Sequence, residues 1–262
     1  MEEKKTRKII EYYNNRLSKY GVSGKATLLD DNMRMLEIEA VTTWLSPSNK
    51  VLDVCCGNGV STVEFAKYCE SIVGIDLSEK MIDTARRLLN SRKSLPRSIS
   101  FEVGNILDLD SIYPVGRFDT VVSTRGLINL PSWELQQQAI LNIHKILPTG
   151  GKFIFIEGTK DGLQRINKLR NQLSLKPIRQ PWYDNYFKEG RTTRFLEKYF
   201  DTHATWNLDV YFLISRVLYP FACLPAEPSL DNICNTVARL LTRYVNADTG
   251  TSLLILRCLI KK

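Results

Sequence analysis

A glycine turn and an acidic residue follow two consecutive apolar runs of the chain. The first run, 51–56, passes into the turn 57–59, which reads Gly-Asn-Gly. Such a turn lets backbone N–H groups approach a ligand closely at the carboxyl edge of a parallel sheet. The second run ends in Asp76, whose carboxylate is suited to accept hydrogen bonds from the two hydroxyls of a ribose. Thr62 stands where the dinucleotide fingerprint needs its third glycine, which argues against a pyrophosphate cradle.

Strand-like apolar runs alternate with segments of helical period along most of the chain. This alternation is typical of a parallel sheet covered by helices on both of its faces. The predicted strands are 50–55, 71–76, 98–104, 118–124, 152–157, an alternating run at 202–213 and a final strand at 251–260. The predicted helices are 5–19, 32–45, 60–69, 79–91, 133–147, 162–173, 192–200 and 229–244. The glycine turn and Asp76 would then meet at one edge of the sheet.

The composition fits a globular protein with one large domain and appendages. The chain has 262 residues, 44% hydrophobic side chains and a net charge of +8, which gives enough apolar surface to offset chain entropy. The basic balance would suit nucleic acid, but Lys and Arg are scattered, so we expect no nucleic-acid partner. The first residues mix both charge signs, and the apolar stretch 252–260 is too short to span a bilayer. These features predict a cytoplasmic protein without a membrane segment.

These motifs resemble those of the class I S-adenosylmethionine-dependent methyltransferases, in the small-molecule branch of that family. The run 51–59 is similar to the family's first motif, 74–78 to its second and 118–124 to the motif of its fourth strand. The turn 147–153 is similar to the family's turn before strand five, with Thr149 as a departure from the pattern.

The resemblance implies an α/β fold with a seven-stranded, doubly wound, mostly parallel sheet whose last strand is antiparallel. Helices would cover both faces of this Rossmann-like sheet, with an N-terminal helical cap and a C-terminal helical insertion. We therefore predict a cap over residues 1–46 and a methyltransferase domain over residues 47–262, with substrate-lid insertions at about 158–200 and 211–248.

The resemblance also implies S-adenosylmethionine as the cofactor, with S-adenosylhomocysteine as its product. The ribose hydroxyls would bind Asp76, and the carboxylate of the methionine part would bind Arg16. The other cofactor-binding positions would be Tyr12, Asp53, Cys55, Gly57, Asn58, Gly59, Leu77, Met81, Asn105, Ile106, Thr124 and Arg125. No metal site is predicted, because His203 has no His or Cys at ligand spacing and His144 lies on a helix away from the strand ends.

Three residues are candidates for the chemistry itself. Arg125 follows the fourth strand, where a guanidinium could hold a carboxylate or phosphate, and Glu157 ends the fifth strand, where it could orient an acceptor or act as a base. Tyr13 lies on a helix that often folds over the cofactor in this family. Each also has a structural interpretation, as a local ion pair, a helix cap or a core residue. The predicted acceptor contacts are Asn129, Trp182, Tyr183 and Tyr186.

The resemblance favours methyl transfer to an oxygen, nitrogen or carbon atom of a small molecule. Alignment and desolvation can supply most of the rate of such a displacement, so a general base is not required for every acceptor. Two alternatives stay open: a methyltransferase acting on RNA or protein, and a non-catalytic subunit that binds the cofactor. The sequence 123–126, Ser-Thr-Arg-Gly, fits the amino-methylating nucleic-acid enzymes poorly. The acceptor and the oligomeric state cannot be read from these residues.

Overall fold

The computed structural model describes residues 2–92, 98–245 and 247–262. The predicted domain ranges also include Met1, residues 93–97 and Asn246, which lie outside the described residues. The strands are β1 (Lys50–Val54), β2 (Ser71–Asp76), β3 (Ser98–Val103), β4 (Thr120–Thr124), β5 (Lys152–Gly158), β6 (Phe200–Trp206) and β7 (Leu254–Lys261). The helices are α1 (Glu2–Tyr20), α2 (Asp31–Trp44), α3 (Val60–Phe65), α4 (Glu79–Ser91), α5 (Leu109–Ile112), α6 (Trp133–Ile146), α7 (Lys160–Gln172), α8 (Glu189–Leu196), α9 (Asp209–Leu213), α10 (Tyr219–Ala222) and α11 (Ile233–Leu241).

The strands form one seven-stranded sheet in the order β3-β2-β1-β4-β5-β7-β6. Strands β1 to β5 pair in parallel, whereas β7 is antiparallel to both of its neighbours, β5 and β6. The predicted fold class is therefore confirmed, including the antiparallel last strand. The strand order reverses between β1 and β4, and the crevice at such a switch point is where open α/β sheets bind ligands.

Both faces of the sheet are buried, as alternation along its strands requires. Leu52 of β1 packs in an apolar cluster with Ile140 and Ile143 of α6. Its neighbour Val51 points to the other face and joins a second cluster with Leu36 of α2. These two layers hold the strand ends rigidly in place. No helix within the described ranges is long and apolar enough to cross a membrane.

The predicted elements between residues 190 and 245 are partly wrong. The predicted helix 192–200 is observed as α8, which ends at Leu196, because Phe200 already begins β6. The alternating run 202–213 was expected to be one strand, but β6 ends at Trp206. A turn then starts α9, since Oδ1 of Asn207 accepts a hydrogen bond from the amide N of Asp209 at 2.7 Å. The predicted helix 229–244 is the shorter α11.

The buried carboxylate of Asp209 explains why the chain turns into a helix there. It accepts hydrogen bonds from the amide N atoms of Thr249, Gly250 and Ser252, at 2.7, 2.7 and 2.6 Å. Asp209 is only 3% exposed, so a strand that continued through it would leave these amides without an acceptor. These contacts span about forty residues of sequence and have no local signature. The boundary of the N-terminal cap at residue 46 stays a prediction.

Candidate active site

A cavity opens at the edge of the sheet where β1, β2 and β4 end, and residues of α1 cover it. It holds about 1180 Å³ of empty space, part of it continuous with solvent. Its lining residues are Thr6, Ile9, Ile10, Tyr13, Thr27, Arg34, Asp53, Cys55, Cys56, Gly57, Ser61, Phe65, Asp76, Leu77, Ser78, Met81, Gly104, Asn105, Ile106, Thr124, Arg125, Gly126, Asn129 and Leu130. The cavity thus lies at the switch point of the sheet.

The turn after β1 consists largely of residues in left-handed backbone conformations. Cys55, Gly57 and Gly59 have φ angles of 57°, 57° and 76°. A Cβ on Gly57 would lie 2.7 Å from Cγ2 of Thr27, so a side chain at this position would be both strained and crowded. The amide N of Gly57 donates to Oδ2 of Asp76 at 2.9 Å. This bond fixes the glycine turn against the end of β2.

Two carboxylates, Asp53 and Asp76, line the cavity from neighbouring strands. Asp53 accepts a hydrogen bond from Oγ1 of Thr62 at 2.6 Å, and Asp76 accepts from the amide N atoms of Gly57 and Ser78, both at 2.9 Å. Burial raises the pKa of Asp53 to about 7; the Thr62 bond opposes the rise and the charge of Asp76 adds to it. Burial also raises the pKa of Asp76. A cationic ligand would restore the ionised form of both acids.

The end of β4 forms the opposite wall. Oγ1 of Thr124 is buried and has no hydrogen-bond partner among the described residues. The next residue, Arg125, has a φ of 54° and donates its amide N to the carbonyl of Ile156 at 2.7 Å. Its guanidinium binds the buried carboxylate of Glu37 through Nε at 2.7 Å and Nη2 at 3.4 Å. The charge of Arg125 is thus balanced inside the protein, whereas the Thr124 hydroxyl is available to a ligand.

A second buried guanidinium, that of Arg34 on α2, also lines the cavity. Its Nη2 donates to the carbonyl of Gly24 at 2.5 Å and to Oγ1 of Thr27 at 3.1 Å, and its Nη1 to Oγ of Ser61 at 3.4 Å. Burial lowers the pKa of Arg34 to about 10, and the charge of Arg125 acts in the same direction. Arg34 therefore stays cationic at neutral pH. All of these partners are neutral.

Part of the chain is similar in sequence to known methyltransferases. Residues 51–151, which carry most of β1, all of β2 to β4 and the glycine turn, match a family model described as "Methyltransferase domain". This match agrees with the resemblance of the motifs to the class I S-adenosylmethionine-dependent methyltransferases. It is 31% identical over 154 residues to "Probable methyltransferase ltbC" of Aspergillus luteorubrus, covering 56% of this chain and 52% of that protein. It is 30% identical over 121 residues to a demethylmenaquinone methyltransferase of Symbiobacterium thermophilum, covering 45% and 46%. The matched stretches span about half the length of these curated relatives.

Solved structures of methyltransferases share the fold. Magnesium protoporphyrin IX methyltransferase from Synechocystis PCC 6803, determined with bound SAH, superposes with a TM-score of 0.62 at 16% identity. That similarity covers 97% of this chain and 98% of the other. A S-adenosylmethionine-dependent methyltransferase from Methanosarcina mazei gives a TM-score of 0.54 at 18% identity, covering 85% and 96%. At such identities the likeness establishes the fold alone.

The cavity of this methyltransferase domain fits its cofactor. The free hydroxyl of Thr124, the crowded glycine turn and the two carboxylates are features that a polar, cationic nucleoside would satisfy. The structure brings most of the predicted cofactor-binding residues to the cavity wall, although their contacts with the cofactor stay predictions. Those at the wall are Asp53, Cys55, Gly57, Asp76, Leu77, Met81, Asn105, Ile106, Thr124 and Arg125.

Two predicted cofactor residues on α1 lie elsewhere. The Nε of Arg16 donates to the carbonyl of Ala26 at 2.8 Å, and its Nη2 donates to the carbonyl of Lys25. Arg16 therefore holds the turn between α1 and α2 instead of facing the methionine part. Tyr12 stacks on Tyr183 with ring centroids 4.3 Å apart, and it is absent from the cavity lining. The structure thus places both side chains in packing contacts outside the cavity lining, and their contacts with the cofactor stay predictions.

Two residues of the glycine turn also have structural roles. Nδ2 of Asn58 donates to the carbonyls of Gly21 and Ser23, at 3.2 and 2.9 Å, and ties the turn to the end of α1. A Cβ on Gly59 would lie 2.7 Å from the ring of Phe101, so this glycine lets α3 begin close to β3. Neither residue lines the cavity. The Gly-Asn-Gly turn therefore contributes to packing through Asn58 and Gly59, whereas Gly57 lines the cavity.

The residues predicted around the adenine differ in how free their side chains are. Leu77 is 44% exposed, whereas Met81 is buried in a small cluster with residues of α1. Asn105 lines the cavity, but its Oδ1 accepts from the amide N of Leu107 at 3.1 Å and its Nδ2 donates to Asp108 at 2.8 Å. Its amide therefore starts a helical turn, and only a remaining lone pair of Oδ1 could accept from an adenine amine.

Glu157, predicted to orient the acceptor or act as a base, lies behind the loop that follows β4, and its catalytic role stays a prediction. Glu157 is fully buried, and its carboxylate accepts from Oγ of Ser123 at 2.6 Å and from the amide N atoms of Leu127 and Ile128 at 3.0 and 3.1 Å. Burial raises its pKa to about 8, and the same three hydrogen bonds oppose the rise. Glu157 thus fixes the loop after β4 from behind and does not line the cavity.

Of the predicted acceptor contacts, the structure brings only Asn129 to the cavity wall, where it lies with Tyr13. Trp182, Tyr183 and Tyr186 belong to a segment that packs behind this wall. Trp182 is 54% exposed, and its ring meets that of Tyr12 edge to face with centroids 5.8 Å apart. The ring of Tyr186 packs against Gly158, where a Cβ would lie 2.9 Å from it. These aromatics therefore shape the wall from outside.

Sequence reasoning missed several wall residues, above all Arg34. The signal that could have found it is the placement of Arg34 and Glu37 next to the apolar stripe of α2, where both are buried. Charged residues are almost never fully buried unless paired. The other missed wall residues are Thr6, Ile9, Ile10, Thr27, Cys56, Ser61, Phe65, Ser78, Gly104, Gly126 and Leu130. In residues 2–92, 98–245 and 247–262, no group of three or more His, Cys, Asp or Glu side chains is placed to hold a metal ion.

Proposed function

We propose that this chain transfers a methyl group from S-adenosylmethionine to a small-molecule acceptor. When bound, the cofactor would supply an electrophilic methyl carbon to the acceptor atom. The electron pair of the broken carbon–sulfur bond would stay on sulfur, and the proton of the acceptor would leave to solvent. The observation that carries the proposal is that Asp53, Asp76 and the glycine turn surround one cavity at the switch point of a matched methyltransferase domain.

The two carboxylates would hold the cofactor at its hydroxyl and ammonium groups. Asp76 keeps lone pairs beyond its bonds to Gly57 and Ser78, and these suit the ribose hydroxyls. Asp53 faces the same cavity from β1, and burial raises its pKa. The ammonium of the cofactor's amino-acid part would lower this pKa again, because a nearby positive charge stabilises the carboxylate. The Thr124 hydroxyl would supply a further hydrogen bond from the opposite wall.

Arg34 takes the role predicted for Arg16, that of binding the carboxylate of the methionine part. Its guanidinium lines the cavity and bonds only to neutral groups, whereas the charge of Arg125 is balanced by Glu37. The carboxylates of Asp53 and Asp76 and the guanidinium of Arg34, which hydrogen-bonds only neutral groups, match a cofactor that carries a sulfonium, an ammonium and a carboxylate. Charge complementarity of this kind favours S-adenosylmethionine, whose sulfur is positively charged, over S-adenosylhomocysteine, whose sulfur is neutral.

The cover of the cavity supports a small acceptor. Apolar residues of α1, Ile9 and Ile10, line the cavity and cover it on one side. Two of the matched proteins are named for small-molecule acceptors, a demethylmenaquinone and a magnesium protoporphyrin. We further propose that the chain has no nucleic-acid partner, because its Lys and Arg residues are scattered along the sequence.

The test is to follow the methyl group. The full chain is incubated with methyl-tritiated S-adenosylmethionine and fractionated cell extract, and cofactor binding is measured by calorimetry in parallel. We expect label in the small-molecule fraction, and Asp76→Ala to weaken cofactor binding by about 1–3 kcal/mol. The control Asp83→Ala changes a carboxylate on the exposed face of α4 and should bind as the wild type does.

The other outcomes are informative. Label in RNA or protein would contradict the small-molecule acceptor and favour a macromolecular one. Cofactor binding without label in any fraction would contradict the enzymatic activity and favour a non-catalytic subunit. Unchanged affinity in Asp76→Ala would remove this residue from the ribose site.

A further inference from the structure

The aromatic segment 181–187 closes one end of the cavity from behind. Its backbone is fixed to the loop after β4, since the amide N of Asn185 donates to the carbonyl of Ile128 at 2.5 Å. In this segment, the ring of Tyr183 stacks on the ring of Tyr12 of α1, and the hydroxyl oxygens of the two tyrosines lie 3.2 Å apart. The segment therefore joins α1 to the end of β4 across the cavity.

Within this segment, Asp184 is a buried carboxylate that reaches the cavity through another residue. It is 9% exposed, and its Oδ1 accepts from Nδ2 of Asn129 at 2.9 Å. Asn129 and Tyr13 line the cavity, whereas Asp184 does not. Because an ionised carboxylate only accepts hydrogen bonds, it fixes the Asn129 amide with its nitrogen toward Asp184. The Asn129 side chain also contacts the hydroxyl of Tyr13, so the two polar groups lie together at the wall.

The charges around Asp184 leave this end of the cavity without an unbalanced cation. The charge of Arg125 acts on Asp184 and lowers its pKa, but the Arg125 guanidinium is bound to Glu37. The titratable and charged groups that face Asp184 are Lys5, Tyr13, Arg125, Tyr183 and Tyr186. Among the described wall residues, Arg34 is the remaining cation, and we have proposed it for the cofactor. An anionic acceptor would therefore lack a partner here.

The remaining wall of this end is apolar. Ile9 and Ile10 of α1 and Leu130 after β4 line the cavity together with Tyr13 and Asn129. Thr6 of α1 also lines it, but its hydroxyl donates to the carbonyl of Glu2 at 3.2 Å. A molecule bound there would be desolvated along its body and would find hydrogen-bonding groups at one point only. Such a combination selects an apolar body with a single polar group, because unsatisfied polar groups are costly once buried.

We propose that Asp184 is a positioning residue that holds Asn129 so that Asn129 and Tyr13 together bind the hydroxyl of an uncharged, largely apolar acceptor. This inference rests on the proposed methyl transfer and names its acceptor class. In it, the hydroxyl donates to the amide oxygen of Asn129 and accepts from the phenol of Tyr13. Protonation of Asp184 would weaken its hold on the Asn129 amide, because a neutral carboxyl is a weaker acceptor than a carboxylate and also carries a competing O–H donor.

The pH dependence of acceptor binding gives this role a readout that packing alone would not move. Burial raises the pKa of Asp184 to about 7, and Arg125, Asn129, Tyr186 and Lys5 oppose the rise. Below that pKa the carboxyl is protonated, so acceptor binding should weaken as the pH falls from about 8 to about 6. A simple phenol stays uncharged over this window, since its pKa is about 10.

The experiment uses 2-naphthol as the hydroxyl probe and 2-naphthoate as its anionic counterpart. Each is titrated by calorimetry into the full chain saturated with S-adenosylhomocysteine. We expect naphthol to bind at least about tenfold more tightly than naphthoate. Asp184→Asn should lose about tenfold in naphthol affinity and all of its pH dependence, with S-adenosylhomocysteine affinity unchanged. The matched control Asp201→Asn, at an exposed carboxylate of β6, should behave as the wild type.

A second variant keeps the test independent of folding defects at Asp184. Tyr13→Phe removes only a hydroxyl and should also weaken naphthol binding while keeping S-adenosylhomocysteine binding. The inference is overturned if naphthol fails to bind the loaded protein, if naphthoate binds as well, or if the pH dependence survives in Asp184→Asn. Failure of the wild type to bind S-adenosylhomocysteine would instead contradict the proposed function.

Discussion

We expect Asp53 to lower the free energy of unfolding of the cofactor-free protein and, at the same time, to bind the cofactor. Its pKa rises from an ordinary value of 3.8 to about 7 because the carboxyl is buried. A rise of about 3 units corresponds to roughly 4 kcal/mol at about 1.4 kcal/mol per unit, which is the upper limit of the cost of ionising it in the folded state. The cost is absent below the unfolded pKa and grows until the pH exceeds the folded pKa.

The perturbation is Asp53→Asn, which keeps the shape and an acceptor for the Thr62 hydroxyl but removes the charge. At about pH 8 the variant should be more stable than the wild type by about 1–4 kcal/mol, and this gain should shrink as the pH falls toward about 5. Its affinity for S-adenosylmethionine should fall at least about tenfold, because the ammonium loses its carboxylate.

The assay is urea unfolding of the cofactor-free protein at several pH values, paired with calorimetric titration of the cofactor. Asp83→Asn on α4 is the control, since its carboxylate is exposed and its removal should leave both measurements unchanged. A loss of stability in Asp53→Asn at about pH 8, or a gain that does not vary with pH, would refute the reasoning. Unchanged cofactor affinity would remove Asp53 from the ammonium site.

Three further substitutions separate binding roles from structural ones. Glu157→Gln places an amide near three donors, so unfolding free energy should drop by about 1–3 kcal/mol with cofactor affinity kept; lost turnover at unchanged stability would restore its catalytic role. Gly57→Ala should lower the free energy of unfolding by about 1–2 kcal/mol because of the left-handed conformation, and it should also weaken cofactor binding. The control Gly116→Ala, at a φ of 79° with no atom within 4 Å of the added Cβ, should lower stability alone. Equal cofactor affinities in the two variants would contradict the crowding argument. Arg34→Lys should weaken S-adenosylhomocysteine binding about tenfold, but not that of an analogue lacking the carboxylate, and calorimetry showing equal losses for both ligands would exclude the carboxylate contact.

The sheet could be predicted because its signals are local. The strands β1 to β5 each show an apolar run bounded by turn residues, and the predicted bounds lie within two residues of the observed ones. The last strand was predicted from its residues, and its antiparallel direction, which the resemblance implied, is confirmed. The run 202–213 failed, since alternation alone cannot show that Asp209 binds three amides about forty residues away.

The candidate site was predicted in its motifs but not in the use of its side chains. Arg16 and Arg34 are both basic residues of N-terminal helices, and which of them faces the cavity depends on the turn that joins these helices. Similarly, Arg125 and Glu37 form their ion pair across 88 residues of sequence. Residue type indicates what a side chain can bind, whereas its partner is set by packing that no local pattern contains.

The position of β7 between β5 and β6 bears on how the protein is made. Every strand that carries a wall residue of the cavity has left the ribosome long before residues 254–261 are synthesised. Until then the edge of β5 that pairs with β7 in the folded sheet lacks that partner. Unpaired, apolar strand edges attract other chains. The nascent protein therefore passes through a stage in which its ligand cavity is nearly complete while its sheet is open to aggregation, and chaperones that shield strand edges would act during that interval.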